Sequence, residues 1–220
     1  MKPSDSAHRG ALRLPVACLS ILALTACGKE APEGGASSPG QPQSAAGATA
    51  KPGIRTTVHR KDAGEPDSTG WCLARSTEGR FSVRLPTSFN DSTVTMPAEA
   101  GVIVMADSIA AHTEHDTSFT AVRTRRSDGK ILISSLDEIA ERLKKERRLK
   151  SQESITVLGQ PALEIRTEDG GRIGLLRSLK IEGALYQLGV EYAPKTAPTT
   201  IDADVAKFFD SFRILGEDEE

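Results

Sequence analysis

The densest group of side chains able to bind a metal ion lies in one short segment, His112-Thr113-Glu114-His115-Asp116. Imidazole nitrogens and carboxylate oxygens are ligands for zinc and other borderline metals, and a helical segment would bring His112 and His115 to one side. In a loop between two strands, successive side chains would instead diverge. The segment predicts a solvent-exposed polar loop, with a metal site as the weaker alternative because a third ligand would have to come from elsewhere.

Signatures of other catalytic chemistry are missing from the sequence. The remaining histidines are His8 and His59, both outside the predicted folded domain, so a Ser-His-Asp triad would have to draw on the same loop. No serine lies in a Gly-x-Ser-x-Gly turn, and neither a Walker A nor a Gly-x-Gly-x-x-Gly loop occurs. We therefore expect no catalytic residues, no cofactor and no enzymatic activity.

Two basic features allow more than one interpretation. Arg177 lies between inward-pointing Leu175 and Leu179, so it could reach a buried carboxylate, extend to the sheet edge or clamp a ligand. A second group of basic residues, Lys144 to Lys150, ends a predicted helix, where positive charge complements the helix dipole. We interpret this group as a solvated helix end, and a patch for anionic lipid or an acidic partner as the alternative.

Charge and cysteine content exclude several classes of protein. The 220-residue chain has a net charge of −2, and removing residues 1–26 takes away three basic residues and one acidic residue. Such a balance argues against a nucleic-acid partner. The three cysteines are Cys18, Cys27 and Cys72. With Cys18 in a removed leader and Cys27 lipidated, Cys72 is left alone, so neither an intramolecular disulfide nor a cysteine-based zinc site can form.

The first 26 residues have the pattern of an export signal. A basic head containing Lys2, Arg9 and Arg13 precedes the apolar run 14–26. At 1.5 Å per residue, a helix of that length spans about 20 Å, short of a hydrocarbon core of about 30 Å. The run therefore fits the apolar region of a signal peptide better than a membrane-spanning helix.

The end of this run, Leu24-Thr25-Ala26-Cys27, resembles the lipobox of bacterial lipoproteins. The resemblance implies cleavage before Cys27, a diacylglyceryl group on its thiol and further acylation, for example with palmitate. Two or more acyl chains anchor a protein stably in a membrane. Gly28 stands where an aspartate would signal retention in the inner membrane, so the resemblance implies the periplasmic face of the outer membrane in a cell with two membranes. The alternative is an ordinary secretory signal with an incidental cysteine.

Between the cysteine and the folded domain, residues 28–68 are rich in Gly, Ala, Ser, Pro and charged residues. Such a composition buries too little apolar area to offset the ordering entropy, so it predicts a disordered linker over 27–68, with the lipidated cysteine at its start. A flexible chain of this length reaches about 35 Å on average. The domain can therefore lie clear of the lipid headgroups.

A folded domain is predicted over 69–216, followed by an acidic tail over 217–220. Alternating apolar residues and glycine turns predict a hairpin over 71–85, further strands over 102–106 and 118–124, and a meander of four strands over 154–192. Ser135 to Glu138 form a capping-box pattern that opens a helix to about Leu149. Thr200 opens a final helix, and Ile214 begins a short closing strand. The fold class is α+β, an antiparallel sheet with two or more packed helices.

The order of these motifs resembles the PsbP-like superfamily. The matching features are 79–86 (GRFSVRLP), 158–162 (LGQPA), Arg177 before 185–188 (LYQL), and 208–212 (FFDSF). The resemblance implies a PsbP-like fold over most of the domain and carries over no binding residues. We expect a non-enzymatic, lipid-anchored envelope protein whose sheet surface binds a protein partner. The alternative is a periplasmic module that binds a small ligand or a metal.

Overall fold

The computed structural model describes residues 53–146 and 148–216. The predicted signal peptide, Cys27, most of the linker and the acidic tail lie outside these residues. Within the described ranges, no helix combines the length and the apolar character that a membrane span needs.

The described residues form mainly strands. In chain order the elements are β1 (Arg55–Ala63), β2 (Cys72–Arg75), β3 (Phe81–Leu85), β4 (Phe89–Pro97), a 3-10 turn (Glu99–Gly101), β5 (Ile103–His112), β6 (Ser118–Arg126), α1 (Asp137–Lys145), β7 (Leu149–Val157), β8 (Gln160–Asp169), β9 (Arg172–Ile181), β10 (Ala184–Tyr192), α2 (Ile201–Asp210) and β11 (Arg213–Ile214).

Eight strands build one antiparallel sheet in the order β1-β4-β5-β6-β10-β9-β8-β7, and β11-β3-β2 form a second, three-stranded sheet. Helix α1 packs on one face of the larger sheet, and α2 packs with the smaller sheet against the other. We refer to these as the α1 face and the α2 face. The predicted antiparallel sheet with packed helices is present, and strands make up most of the domain.

Aromatic residues fill the α2 face. Phe119 on β6 meets Phe208 of α2 edge-on, with ring centroids 5.4 Å apart, and Phe81 on β3 lies 6.4 Å from Tyr186 on β10. Val205, Phe208 and Phe209 of α2 and Phe212 just after it are buried, and Ile201 at the start of α2 is partly buried. Burial of large aromatic side chains contributes much of the stabilisation of such a core.

Helix α1 covers the other face near β8 and β10, where Ile139 and Ala140 pack against Leu163, Ile165 and Leu185. The Glu138 carboxylate accepts hydrogen bonds from the backbone N–H groups of the two serines before the helix, which is one half of the predicted capping box. The helix is shorter than the predicted 135–149 because the chain enters β7 at Leu149.

The meander is confirmed, since β7, β8, β9 and β10 pair in sequence order. Its three two-residue turns hold both central residues at positive φ, as in Leu158-Gly159 (51° and 74°) and Glu182-Gly183 (49° and 78°). Turns of this hand match the twist of the flanking strands and favour glycine.

The predicted linker boundary at residue 68 is wrong, because Arg55–Ala63 form strand β1 and pair with β4. This strand lies at the sheet edge, and most of its side chains are exposed on both sides. An edge strand needs no apolar alternation, since hydrogen bonds from a single neighbour hold it. The polar composition that predicted disorder therefore also fits an edge strand, and the domain begins by residue 55 instead of 69.

Candidate functional site

The segment His112–Asp116 forms the connection between β5 and β6, as the loop prediction states. The loop closes on itself, since the Thr113 N–H donates to the Thr117 carbonyl at 2.9 Å and Asp116 takes a φ of 56°. The two histidines diverge. His112 lies on the α1 face, with its Nδ1 3.1 Å from the Ser118 hydroxyl, whereas His115 lies on the side of the loop next to α2.

A single arginine on β9 fixes this loop to the sheet. The Arg172 guanidinium contacts the Asp116 carboxylate, donates to the Asp116 carbonyl at 3.0 Å, and reaches the Glu191 carboxylate through Nε at 2.5 Å. Burial is the largest single influence and would lower the pKa of Arg172, but the hydrogen bonds and charges of the two carboxylates together outweigh it and raise the pKa. Two contacts to Asp116 therefore tie the loop to β9, and the contact with Glu191 ties the same guanidinium to β10.

The geometry does not assemble a metal site around His112 and His115. Across the described ranges, no three His, Cys, Asp or Glu side chains converge closely enough to hold a metal ion. His112 Nε2 lies 3.5 Å from Asp116 and His115 Nε2 lies 3.6 Å from Glu114, so each imidazole faces a different carboxylate. The spacing that suggested metal binding depends on a helix, and the segment is a loop.

The loop and the start of α2 instead enclose a cleft of about 340 Å³. This volume is at the small end of the range of about 300–1,000 Å³ typical of ligand sites. Apolar side chains form part of its wall, and hydroxyl, carboxylate and imidazole groups form the rest. The lining residues are Pro86, Thr87, Thr113, Glu114, His115, Thr117, Phe119, Pro198, Thr200, Ile201 and Asp204.

One hydroxyl in this cleft has an unmet hydrogen-bonding capacity. Thr117 is 1% exposed and its Oγ1 has no hydrogen-bond partner among the described residues. Two nearby hydroxyls are occupied, since Thr113 Oγ1 accepts from the Thr117 N–H at 3.3 Å and Thr200 donates to Asp204 at 2.8 Å. A buried polar atom without a partner is costly, about 1–3 kcal/mol, and is therefore a feature of interest in a binding site.

The other basic features have carboxylate partners. Arg177 Nε meets Glu164 at 2.6 Å, and its guanidinium lies 4.3 Å from the ring centre of Phe209. Among the interpretations offered for Arg177, the structure therefore agrees with the contact to a carboxylate. At the basic end of α1, Arg148 lies 3.2 Å from Asp169 and Lys150 lies 3.0 Å from Glu168.

Cys72 is buried, 1% exposed, and forms no disulfide within the described residues. Burial raises the pKa of its thiol, so the reactive thiolate is disfavoured at neutral pH. Sequence analysis missed the cleft itself. Its walls come from distant parts of the chain, and threonines such as Thr117 and Thr200 carry no local signal of binding.

The described residues thus define a sheet-dominated α+β domain with a small polar cleft between the β5–β6 loop and α2. No protein-family model matches the chain, and no curated protein is similar to it at a significant level. One similar solved structure is cyanobacterial PsbP (CyanoP) from Synechocystis sp. PCC 6803. It is 13% identical, the match covers 77% of this chain and 97% of that one, and the TM-score is 0.40.

Proposed function

We propose that this chain is a lipid-anchored protein of the bacterial cell envelope, with Cys27 as the lipidated residue and a PsbP-like domain that binds a protein partner without catalysing a reaction. The observation that carries the binding role is the cleft beside α2, where a loop held by Arg172 presents a buried, unpartnered hydroxyl. A pre-positioned loop lowers the entropic cost of binding.

The anchor is supported by the sequence Leu24-Thr25-Ala26-Cys27 and by the basic and apolar leader before it. In a cell with two membranes, Gly28 after the cysteine favours the outer membrane, with the domain on the periplasmic side. Since β1 begins at Arg55, the linker is shorter than predicted. A linker over 28–54, as the composition predicts, would span about 25–30 Å if flexible, enough to hold the domain above the headgroups.

Metabolic labelling tests the anchor. Cells expressing the wild type and Cys27→Ser are grown with labelled palmitate, and the mature protein is analysed by mass spectrometry. We expect label and acyl mass on residue 27 of the wild type and none in the variant. Equal labelling of the two proteins, or a mature chain that begins at another residue, would refute the anchor.

Site-directed photo-crosslinking in cells tests the binding role. A photoreactive amino acid replaces Thr87 in the wall of the cleft, or Ser154, an exposed residue of β7, as the matched control. We expect a discrete protein adduct from position 87, absent from position 154 and reduced by Arg172→Gln, which releases the loop. Adducts of equal yield from both positions, or none from 87, would contradict a protein-binding cleft.

A small ligand is the second candidate, favoured by the cleft volume of about 340 Å³. This volume suits a small molecule as well as a single side chain of a partner. A ligand that binds at the cleft in the absence of any protein adduct would favour this second function.

A further inference from the structure

The chemistry of the cleft restricts what it can accept. Among the described residues that line it, two are carboxylates, Glu114 and Asp204, one is an imidazole, His115, whose Nε2 lies 3.6 Å from Glu114, and none is lysine or arginine. A cleft lined by negative charge attracts cations and disfavours anions such as phosphate or another carboxylate. The charged part of an occupant is therefore positive.

The hydroxyl groups of the cleft indicate that this cation carries a hydrogen-bond donor. Thr117 Oγ1 is buried and lacks a partner among the described residues, and Thr117 lines the cleft two residues before Phe119 of the α2 face. A hydroxyl oxygen accepts hydrogen bonds, and an ammonium group offers three donors with no acceptor. An ammonium that reaches this oxygen from the cleft would satisfy it inside a site whose wall also carries the two carboxylates.

The apolar wall requires a hydrocarbon part in the same occupant. Pro86, Phe119, Pro198 and Ile201 contribute apolar surface beside the polar groups. Long basic side chains pack their methylene stems on apolar surface while the charged head reaches polar groups. Both requirements are met by one alkyl chain that ends in an ammonium group.

We propose that the cleft between the β5–β6 loop and α2 binds an alkylammonium group. This inference builds on the proposed function, in which the occupant is a lysine side chain of the partner protein. A free diamine offers the same chemistry, so the experiment includes both sources.

Titration of the purified chain with small probes, followed by amide chemical shifts of 113–119 and 200–204, tests this directly. The probes are Nα-acetyl-lysine methylamide for a protein side chain, cadaverine for a free diamine, and the Nε-acetylated lysine amide as the neutral control. We expect the first two to shift the same amides and the neutral probe to have no effect. Cadaverine binding more than tenfold tighter than the lysine amide would assign the site to free diamines.

Two substitutions localise the effect. Thr117→Val preserves the shape of the side chain and removes the oxygen, and we expect probe binding to weaken by about tenfold or more, since a hydrogen bond to a charged group is lost. The same change removes an unsatisfied buried hydroxyl, so the variant should be at least as stable as the parent. Asp204→Asn should weaken binding by about three- to fivefold, whereas Asp202→Asn, on the same helix outside the cleft, should leave it unchanged.

The outcomes separate this inference from the proposed function. If the adduct at position 87 forms but no alkylammonium probe binds, or the acetylated probe binds equally well, the inference is wrong and the binding function stands. If the probes bind at the cleft and no adduct forms, the alkylammonium site stands and the protein partner is refuted. Unchanged probe affinity in Thr117→Val would overturn the assignment of the donor.

Discussion

The α2 face of the large sheet is held together in two different ways. Toward β10 it is an aromatic core, with Phe119, Tyr186 and Phe208 buried against α2 and the smaller sheet. Toward β1 the same face carries two buried carboxylates, Asp91 and Asp107, 1% and 0% exposed. One region is stabilised by non-directional packing and the other by directional hydrogen bonds.

The two carboxylates of the polar region are each held by specific donors. Asp107 accepts from the Thr93 hydroxyl at 2.9 Å and from Arg125 Nε at 3.3 Å. Asp91 accepts from the Thr77 N–H at 2.9 Å and from its hydroxyl at 2.5 Å, which fixes the turn between β2 and β3 to β4. A buried carboxylate persists only when its charge is balanced and its oxygens are hydrogen-bonded. This half of the face therefore depends on the identity of individual residues.

The largest expected effect is in the aromatic region. Phe208 is fully buried and contacts both Phe119 and Phe209. Phe208→Ala should lower the free energy of unfolding by about 3–5 kcal/mol, because it removes buried apolar area and leaves a cavity. Chemical denaturation monitored by circular dichroism measures this. Phe208→Leu is the matched control and should cost far less, and a loss below about 1 kcal/mol for the alanine variant would contradict the packing role.

Truncation of a buried carboxylate should have the next largest effect. Asp107→Ala removes the acceptor of Arg125 Nε and of the Thr93 hydroxyl, which keeps only its 2.9 Å contact with His59 Nε2, so we expect a loss of about 1–3 kcal/mol. The double variant Asp107→Ala/Thr93→Val also removes the hydroxyl that lost its acceptor and should recover part of that loss. Double-mutant-cycle analysis of the unfolding free energies gives the coupling between the two residues. Strictly additive effects would show that the hydrogen bond contributes nothing.

The same contrast explains which elements the sequence could predict. Tyr186, Leu188, Val190 and Tyr192 alternate along β10 and all are buried, so the period of two and the glycine turns predict the meander correctly. Strand β4 escaped prediction because one of its inward positions is Asp91, and a buried aspartate removes the apolar alternation. Strand β1 was missed because an edge strand needs no alternation.

The cleft was beyond prediction for a different reason. Its parts, such as Thr87, Thr117 and Asp204, come from three separate elements, and the segment that attracted attention contributes His115 but not His112. Hydrogen-bonding capacity left over in the folded state, as at Thr117, depends on tertiary neighbours. No local pattern of residue types records it.

Release of the β5–β6 loop should change the free energy of unfolding only slightly, while clearly increasing the motion of the loop itself. Arg172→Gln removes contacts with partly exposed Asp116 and Glu191, so the expected loss of stability is below about 1 kcal/mol and should shrink as salt is added. Amide hydrogen exchange should accelerate in 113–117 and stay unchanged in the meander. Arg166→Gln, an exposed position on β8, is the control. Uniform acceleration over the whole sheet would show that Arg172 supports the fold globally instead of the loop.

The smallest expected effect concerns Asp67, a surface carboxylate that accepts several hydrogen bonds, as the buried Asp91 and Asp107 do. Asp67 accepts from the Thr69 hydroxyl at 2.6 Å, from the Thr69 N–H at 2.7 Å and from Arg84 at 2.5 Å. These donors, the Thr69 hydroxyl foremost, lower the pKa of Asp67 well below its ordinary value of 3.8. A carboxyl with a lowered folded-state pKa stabilises the fold above the ordinary value, and this contribution is lost as the pH falls through the folded-state pKa.

Asp67→Asn cannot titrate, so its unfolding free energy should decline less steeply than that of the parent as the pH falls from about 4 to about 2. Thr69→Val removes the first donor and should move the acid transition in the same direction by a smaller amount. Urea unfolding at closely spaced pH values measures both slopes. If the parent and Asp67→Asn lose stability in parallel over this range, the Thr69 and Arg84 hydrogen bonds do not favour the ionised carboxylate. The directional mode of stabilisation would then be confined to the buried aspartates of β4 and β5.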